Sequence, residues 1–175
     1  MTTRRLTRAG FSAVTLATVL LADASAHAKN TGLIFVSNEK SSTITVLDRS
    51  DTVVRSFETC ARPRGMHFSK DRTQFYVGCA DDSIIAVYDV ATQELMRRYR
   101  GIEEPETFDL HPDGRHLYIS NEEDAAATVL DLETGEVVGQ FETGEEPEGV
   151  LFTSEGRLVF VASEAANMVH VIAAA

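Results

Sequence analysis

Three short clusters of charged residues recur around prolines at a fixed spacing. Pro63, Pro105 and Pro147 lie 42 residues apart, and a charged residue stands on each side of every one. The six flanking residues are Arg62, Arg64, Glu104, Glu106, Glu146 and Glu148. Two guanidinium groups beside four carboxylates could bind a cation, an amine or a basic patch of a partner. The alternative is a solvated rim whose surface ion pairs contribute little.

No other residues form a recognisable catalytic or metal-binding motif. His111 and His116 flank a predicted turn, and His67 and His170 lie on predicted strands. The chain has no His-x-x-x-His, Cys-x-x-Cys, Gly-rich phosphate loop or G-x-S-x-G nucleophile. It also has no Trp, the residue on which quinone-dependent dehydrogenases usually stack their cofactor. The sequence therefore predicts no catalytic residue, no metal site and no cofactor.

The charged clusters belong to a repeat of about 42 residues. Its aromatic positions are Phe35, Tyr76, Tyr118 and Phe160, at steps of 41, 42 and 42, and its acidic positions are Asp48, Asp89 and Asp131, at steps of 41 and 42. A period of this length built from short apolar runs is typical of four-stranded propeller blades. We therefore predict an all-β fold, a β-propeller of four-stranded antiparallel blades.

The middle repeat predicts where the strands lie. Strands are expected over 107–110, 117–120 and 137–141, and a third strand is expected to end with 128–130. A tight turn is expected at 111–114, where Pro and Gly favour it. Inner strands should be covered on both faces by neighbouring blades, whereas the outer strand should meet water on one side.

The repeats predict an incomplete propeller. They start near residues 33, 75, 117 and 159 within one domain, 29–175, and supply three, four, four and three strands, or about 3.5 blades. A closed propeller has about 4 to 8 blades, and open ends leave unpaired strand edges. We expect an open arc from a shortened form of a longer propeller. A tight ring of four blades and an assembly of two copies through the open edges are the alternatives.

The first 28 residues are predicted to be a secretory signal peptide. Arg4, Arg5 and Arg8 precede an apolar run over 11–22, and Ala26-His27-Ala28 supplies a cleavage site. The run is too short for a membrane-spanning helix of about 20 residues. We therefore expect a Sec-exported periplasmic or secreted protein without a membrane anchor after cleavage.

The net charge of the chain limits the classes of partner that it can bind. The whole chain carries −11, and removing the net +2 of residues 1–28 leaves −13. Nucleic acid and anionic lipid are poor partners for such an acidic chain.

The two cysteines, Cys60 and Cys79, are predicted to share a rim of neighbouring blades. Loops after the second and fourth strands of each blade point to the same side, and Cys60 follows a fourth strand while Cys79 ends a second one. In an oxidising compartment such a pair indicates a disulfide, worth about 3 kcal/mol on chain entropy. Two free, partly buried thiols are the alternative.

Several segments resemble known propeller repeats. The tetrads 35–38 and 118–121 and the turn 111–114 resemble the YVTN repeat family over essentially all of 33–172. The segments 35–40, 62–65, 146–149 and 163–170 are similar to the PQQ-dependent catabolism-associated β-propeller proteins. That resemblance implies an exported accessory protein linked to alcohol oxidation by pyrroloquinoline-quinone dehydrogenases.

The residues and the resemblance together favour a non-catalytic binding propeller. Its partner would be a periplasmic dehydrogenase or a small ligand at the mouth of the central channel. The alternatives are a propeller enzyme of the lactonase or quinoprotein dehydrogenase type, and a truncated remnant of a longer propeller.

Overall fold

The computed structural model describes residues 31–174, and the predicted signal peptide, 1–28, lies outside the described residues. Fourteen strands form four antiparallel sheets, which we number as blades one to four. Blade one contains β1 (Ile34–Asn38), β2 (Thr43–Leu47) and β3 (Val53–Glu58), and blade two contains β4 (Pro63–Phe68), β5 (Gln74–Cys79), β6 (Ile84–Asp89) and β7 (Leu95–Arg100). Blade three contains β8 (Pro105–Leu110), β9 (His116–Asn121), β10 (Ala126–Asp131) and β11 (Val137–Glu142), and blade four contains β12 (Pro147–Phe152), β13 (Leu158–Ser163) and β14 (Met168–Ala173).

The predicted all-β propeller of about 3.5 blades is confirmed, including its strand count of three, four, four and three. Several boundaries were predicted wrongly: β9 spans His116–Asn121 rather than 117–120, and β11 ends at Glu142 rather than at residue 141. The innermost strands begin at their prolines, so β8 starts at Pro105 rather than at Thr107. Proline has no N–H to donate, but this does not matter at the first residue of a strand.

Each complete blade is a simple meander. The strand order in blade three is β11-β10-β9-β8, and β4, β8 and β12 lie beside one another, which makes them the innermost strands. Every residue of β10 is buried, whereas β11 alternates between exposed and half-buried residues. This is the predicted difference between strands covered by neighbouring blades and an outer strand that meets water.

The recurring aspartate at the end of the third strands caps the turn that follows. Oδ1 of Asp48 accepts the backbone N–H of Ser50 at 2.8 Å. Asp89 Oδ1 accepts the N–H of Thr92 at 2.7 Å, and Asp131 Oδ1 accepts that of Glu133 at 2.8 Å. Aspartate favours such turns because its short side chain can satisfy nearby backbone donors. The spacing of these aspartates, 41 and 42 residues, therefore reports a repeated turn.

The described blades form an arc with two open faces. Val169 and Val171 on β14 are 59% and 57% exposed, whereas their counterparts on β10, Ala127 and Val129, are 0% and 5% exposed. At the other end, Ile34 of β1 is 49% exposed. A next blade would cover these apolar side chains in a closed propeller, and none does so among residues 31–174. In that same range, no helix has the length and apolarity to cross a bilayer.

Candidate functional site

The proline clusters all lie on one rim of the arc, which we call the upper rim. The residue before each proline, Arg62, Glu104 or Glu146, has a positive φ of 50°, 32° or 54°. Its carbonyl accepts a backbone N–H from the loop after the next strand, as between Ala80 N and Arg62 O at 3.0 Å and between Glu164 N and Glu146 O at 2.8 Å. The same positive φ and the same backbone hydrogen bond therefore position these charged residues at the start of each innermost strand.

Three of the six predicted site residues meet in one ion-pair cluster. Glu106 lies between Arg62 and Arg64 of the neighbouring blade: Arg62 Nη2 is 3.2 Å from Glu106 Oε1, and Arg64 Nε bonds to Glu106 Oε2. Two carboxylates outside the six predicted site residues complete the cluster. Glu39 lies 3.2 Å from Arg62 Nε and 2.9 Å from Arg64 Nη1, and Glu122 lies 3.2 Å from Arg62 Nη2.

Glu106 is the buried centre of this cluster. Its side chain is only 1% exposed, so the expectation of a solvated rim is wrong for this residue. Burial, followed by the hydrogen bond with Glu122, raises the pKa of Glu106 to about 7, against the opposing effect of Arg64. Its Oε1 is buried and lies 3.2 Å from Arg62 Nη2, in an ion pair that lacks the geometry of a hydrogen bond. That oxygen therefore has the charge of Arg62 beside it but no directed donor among the described residues, and a ligand can supply one.

A second carboxyl pair lies on the same rim in blade four. The hydrogen bond with Glu164 is the largest cause that raises the pKa of Glu148, and burial adds to it. The pKa of Glu104 is raised as well, first by burial and then by the charge of Glu123. Glu146 is exposed and does not join either pair. The upper rim is thus a place where carboxyl groups are crowded enough to hold protons above their usual pKa range.

A cleft of about 360 Å³ opens beside these groups. It is lined by Ser37, Glu39, Pro63, Arg64, Gly65, Glu106, Thr107 and Glu148. The lining comes from all four blades, and it contains the innermost strands β4, β8 and β12 at their first residues. The cleft, which we call the channel mouth, therefore lies where the innermost strands begin, and both guanidinium and carboxyl groups line it.

Gly65 allows the innermost strands of blades two and three to come this close. A Cβ atom on Gly65 would lie 2.8 Å from the backbone oxygen of Glu106 and 2.9 Å from Cα of Thr107. The absence of a side chain at this position is what brings Arg64 within reach of Glu106.

The cysteine pair lies next to the cluster. Cys60 and Cys79 are joined by a disulfide with their Cα atoms 5.7 Å apart, a normal separation for such a bond. The bond connects the loop after β3 to the end of β5. Ala61 N also donates to Asp82 Oδ2 at 2.9 Å. Cys60 and Ala61, the two residues before Arg62, are therefore both held in place.

The opposite rim carries a group of three side chains that the sequence did not predict. His111, Asp113 and His116 place one ligand atom each within 4.8 Å of one another, although the sequence predicted no metal site. The only sequence signal for this group is the spacing His-x-Asp-x-x-His. That spacing is not informative by itself, because the three side chains meet only when the segment forms a turn. His67 and His170 lie on β4 and β14, as predicted.

The fold and the cluster at its channel mouth define the class of protein: a β-propeller. A family model described as "Lactonase, 7-bladed beta-propeller" matches residues 56–175, and the chain belongs to that family. Among solved structures, the chain is similar to Kuenenia stuttgartiensis hydrazine synthase, with a TM-score of 0.72 and 20% sequence identity. That match covers 81% of this chain and 43% of that one. At this identity the likeness concerns the fold alone. Comparison with curated proteins found no match.

Proposed function

We propose that the channel mouth binds a cationic group, either an amine or guanidinium of a small ligand or a basic patch of a protein partner. The observation that carries the proposal is Glu106, a buried carboxyl group whose Oε1 has an ion pair with Arg62 but no directed hydrogen bond from the described residues. A positively charged donor would give that oxygen a directed hydrogen bond and favour the ionised form of Glu106. Charge-assisted hydrogen bonds of this kind are stronger than neutral ones.

The charge balance of the upper rim supports a cation over an anion. Arg62 and Arg64 are already engaged by Glu39 and Glu106. The remaining carboxyl groups, Glu104, Glu122, Glu148 and Glu164, have no Arg or Lys of their own among the described ion pairs apart from the contact of Glu122 with Arg62. Burial and then the charge of Glu123 raise the pKa of Glu104, and the hydrogen bond with Glu164 is the largest cause that raises the pKa of Glu148, so neighbouring carboxyl groups contribute in both cases.

The biological setting that we propose is an exported accessory protein of PQQ-dependent alcohol oxidation. It is supported by the resemblance of segments 35–40, 62–65, 146–149 and 163–170 to the PQQ-dependent catabolism-associated propellers. Two of these four segments supply the upper-rim cluster with Glu39, Arg62 and Arg64. A third supplies Glu148. The partner would then be a periplasmic dehydrogenase with a basic surface, or a cationic small molecule.

Calorimetric titration with spermidine, and with Ca²⁺ as a comparison, tests the binding. The double variant Glu106→Gln/Glu148→Gln should bind spermidine at least about tenfold more weakly, since it removes the two carboxyl groups whose pKa is raised. Glu155→Gln, at an exposed position of the opposite rim, should bind as the unmodified chain does. Binding near pH 7 should also release protons, so the apparent enthalpy should depend on the ionisation enthalpy of the buffer. Equal affinity of the double variant would refute the proposal.

Lactone hydrolysis is a second candidate, favoured by one observation. A carboxyl group with a pKa of about 7 beside two guanidinium groups has the parts of a general base with oxyanion stabilisation. The family match is consistent with this chemistry. Glu106 would take a proton from water while Arg64 stabilises the oxygen of the attacked carbonyl. Hydrolysis of glucono-δ-lactone that is lost in Glu106→Gln would favour the enzyme, and cation binding without turnover would favour the binding protein.

A further inference from the structure

The turn between β8 and β9, on the rim opposite the channel mouth, gathers two imidazoles around one carboxylate. His111 Nδ1 lies 2.9 Å from Asp113 Oδ2, and His116 Nδ1 lies 2.7 Å from the same oxygen. The other carboxylate oxygen is fully engaged by the turn itself: Asp113 Oδ1 accepts the backbone N–H groups of Arg115 at 2.7 Å and His116 at 3.1 Å. The backbone thus fixes Asp113 so that Oδ2 faces both rings.

The orientation of His111 leaves its Nδ1 without a proton when the ring is neutral. Nε2 lies 3.1 Å from the carbonyl oxygen of Gly156, which can only accept, so Nε2 carries the hydrogen. The Asp113 N–H approaches Nδ1 at 3.2 Å, a long contact. A bare ring nitrogen 2.9 Å from a carboxylate oxygen sets two lone pairs against each other. Such a contact is favourable only when a cation or a second proton lies between them.

The two histidines are not required by the turn. The equivalent turn in blade two has Ser69 and Gln74 at the positions of His111 and His116, and Ser69 Oγ there accepts the N–H of Gln74 at 3.0 Å. In blade four, Thr153 Oγ1 accepts the N–H of Leu158 at 3.3 Å in the same way. A hydroxyl therefore closes this turn in two other blades, and the imidazole pair of blade three calls for a separate explanation.

We propose that His111 Nδ1, Asp113 Oδ2 and His116 Nδ1 bind a divalent first-row transition-metal ion such as Zn²⁺ or Cu²⁺. Two imidazoles and one carboxylate are a donor set for these ions rather than for Mg²⁺ or Ca²⁺. Metal–ligand bonds of about 2.0–2.1 Å separate neighbouring ligand atoms by about 3.3 Å around a tetrahedral Zn²⁺ and by about 2.9 Å around a square-planar Cu²⁺. The two nitrogen–oxygen contacts, now 2.9 Å and 2.7 Å, would therefore open by about half an ångström to hold zinc and by less to hold copper. Water or a partner's ligand would fill the remaining positions.

The surroundings of the three ligands fit this role. The bond from His111 Nε2 to the Gly156 carbonyl is the contact that usually orients a metal-bound histidine. The His111 ring also packs edge-on against Phe152 of blade four, with centroids 5.1 Å apart. A bound ion would therefore fix the ring that links blade three to blade four, and it should stabilise the fold as well as the turn.

The test is zinc titration of the purified chain, prepared without a polyhistidine tag, by calorimetry. One ion per chain is expected. His111→Ser/His116→Gln gives blade three the residues that form the same turn in blade two, so this variant should fold and bind at least about tenfold more weakly. Asp113→Asn should weaken binding too, because its amide oxygen can still accept the two turn N–H groups but carries no charge.

Two further readouts separate the site from incidental binding. His67→Gln removes the other His–Asp pair, in which His67 Nε2 lies 3.1 Å from Asp109 Oδ1, and should bind zinc as the unmodified chain does. Copper bound to the unmodified chain should show two-nitrogen coordination by electron paramagnetic resonance, and zinc at 100-fold excess over its dissociation constant should raise Tm by roughly 5–10 °C. No binding by the unmodified chain, or equal binding by the folded double variant, overturns the proposal.

Discussion

Glu106 Oε1, at the start of the innermost strand of blade three, lies 3.2 Å from Nη2 of Arg62 on blade two, yet burial and Glu122 hold the pKa of Glu106 at about 7. Two neighbouring blades thus meet through a carboxyl group that is only partly ionised at neutral pH. Its protonation should be visible in the stability of the protein.

The first prediction concerns the pH dependence of stability. Because the folded-state pKa of Glu106 lies above its unfolded value of 4.5, the folded state holds the extra proton between pH 4.5 and about 7. The contribution of this group is fully present below pH 4.5 and is lost as pH rises through 7, by about 3 kcal/mol in total. Glu106→Gln has no carboxyl group at this position, so it does not lose this stability as pH rises. Urea unfolding at pH 5, 6, 7 and 8 should therefore show the variant gaining stability relative to the unmodified chain as pH rises.

Glu155→Gln is the matched control for this measurement, since Glu155 is exposed on the opposite rim. Its unfolding free energy should follow that of the unmodified chain at every pH. Parallel curves for Glu106→Gln and the unmodified chain would mean that Glu106 titrates in the ordinary range.

A second prediction follows from the contact between Arg64 and Glu106. Arg64→Met leaves the buried carboxylate with Arg62 as its remaining cationic partner. The variant should lose about 3 kcal/mol at pH 8, where Glu106 is ionised, and less at pH 5, where the protonated carboxyl group needs no cation. Urea unfolding at the two pH values measures the difference. Arg98→Met, on the exposed outer strand β7, should change neither value by much, and an equal loss for Arg64→Met at both pH values would contradict the argument.

The blade pattern could be predicted from the sequence because its causes are local. Asp89 and Asp131 cap their own turns, and the apolar runs before them form the buried third strands. The burial of Glu106 could not be predicted in this way. It depends on how closely β4 and β8 approach at Gly65, a contact between residues 41 positions apart in different blades.

The same difference between local and long-range causes applies to the other residues of the two rims. The proline spacing predicted that six charged residues share the upper rim, but not which of them meet. Glu39 and Glu122 join the cluster from loops of other strands, and Glu146 stays outside it. On the opposite rim, His111 and His116 were visible as residues that flank a turn. Their convergence on Asp113 depends on side-chain torsions, which spacing does not specify.

A third prediction concerns the Cys60–Cys79 disulfide. Replacing both residues with alanine should lower the free energy of unfolding by about 3 kcal/mol, because the unfolded chain regains the entropy of a loop of 19 residues. Reduction of the unmodified chain should have a similar effect in urea unfolding. Thiol titration of the native, unreduced protein should find no reactive thiol. Two reactive thiols would contradict the bond and with it the support that it gives to the segment entering Arg62.

The fourth prediction tests whether close approach of the innermost strands builds the channel mouth. Gly65→Ala places a Cβ atom against the backbone of Glu106 and Thr107, neither of which can rotate away, so β4 and β8 must separate. Overpacking of this kind costs about 1–3 kcal/mol. Gly139→Ala is the control, because its nearest neighbour would be a Val129 methyl group at 3.4 Å.

Separation of the strands should also pull Arg64 away from Glu106, which would raise the pKa of Glu106 further because a stabilising charge is removed. Gly65→Ala should therefore have a different affinity for spermidine from that of the unmodified chain, even under conditions where both are fully folded. Gly139→Ala should keep the affinity of the unmodified chain. If Gly65→Ala loses stability but keeps unchanged spermidine affinity and an unchanged pH profile, the strand contact supports the fold alone and the cluster does not depend on it.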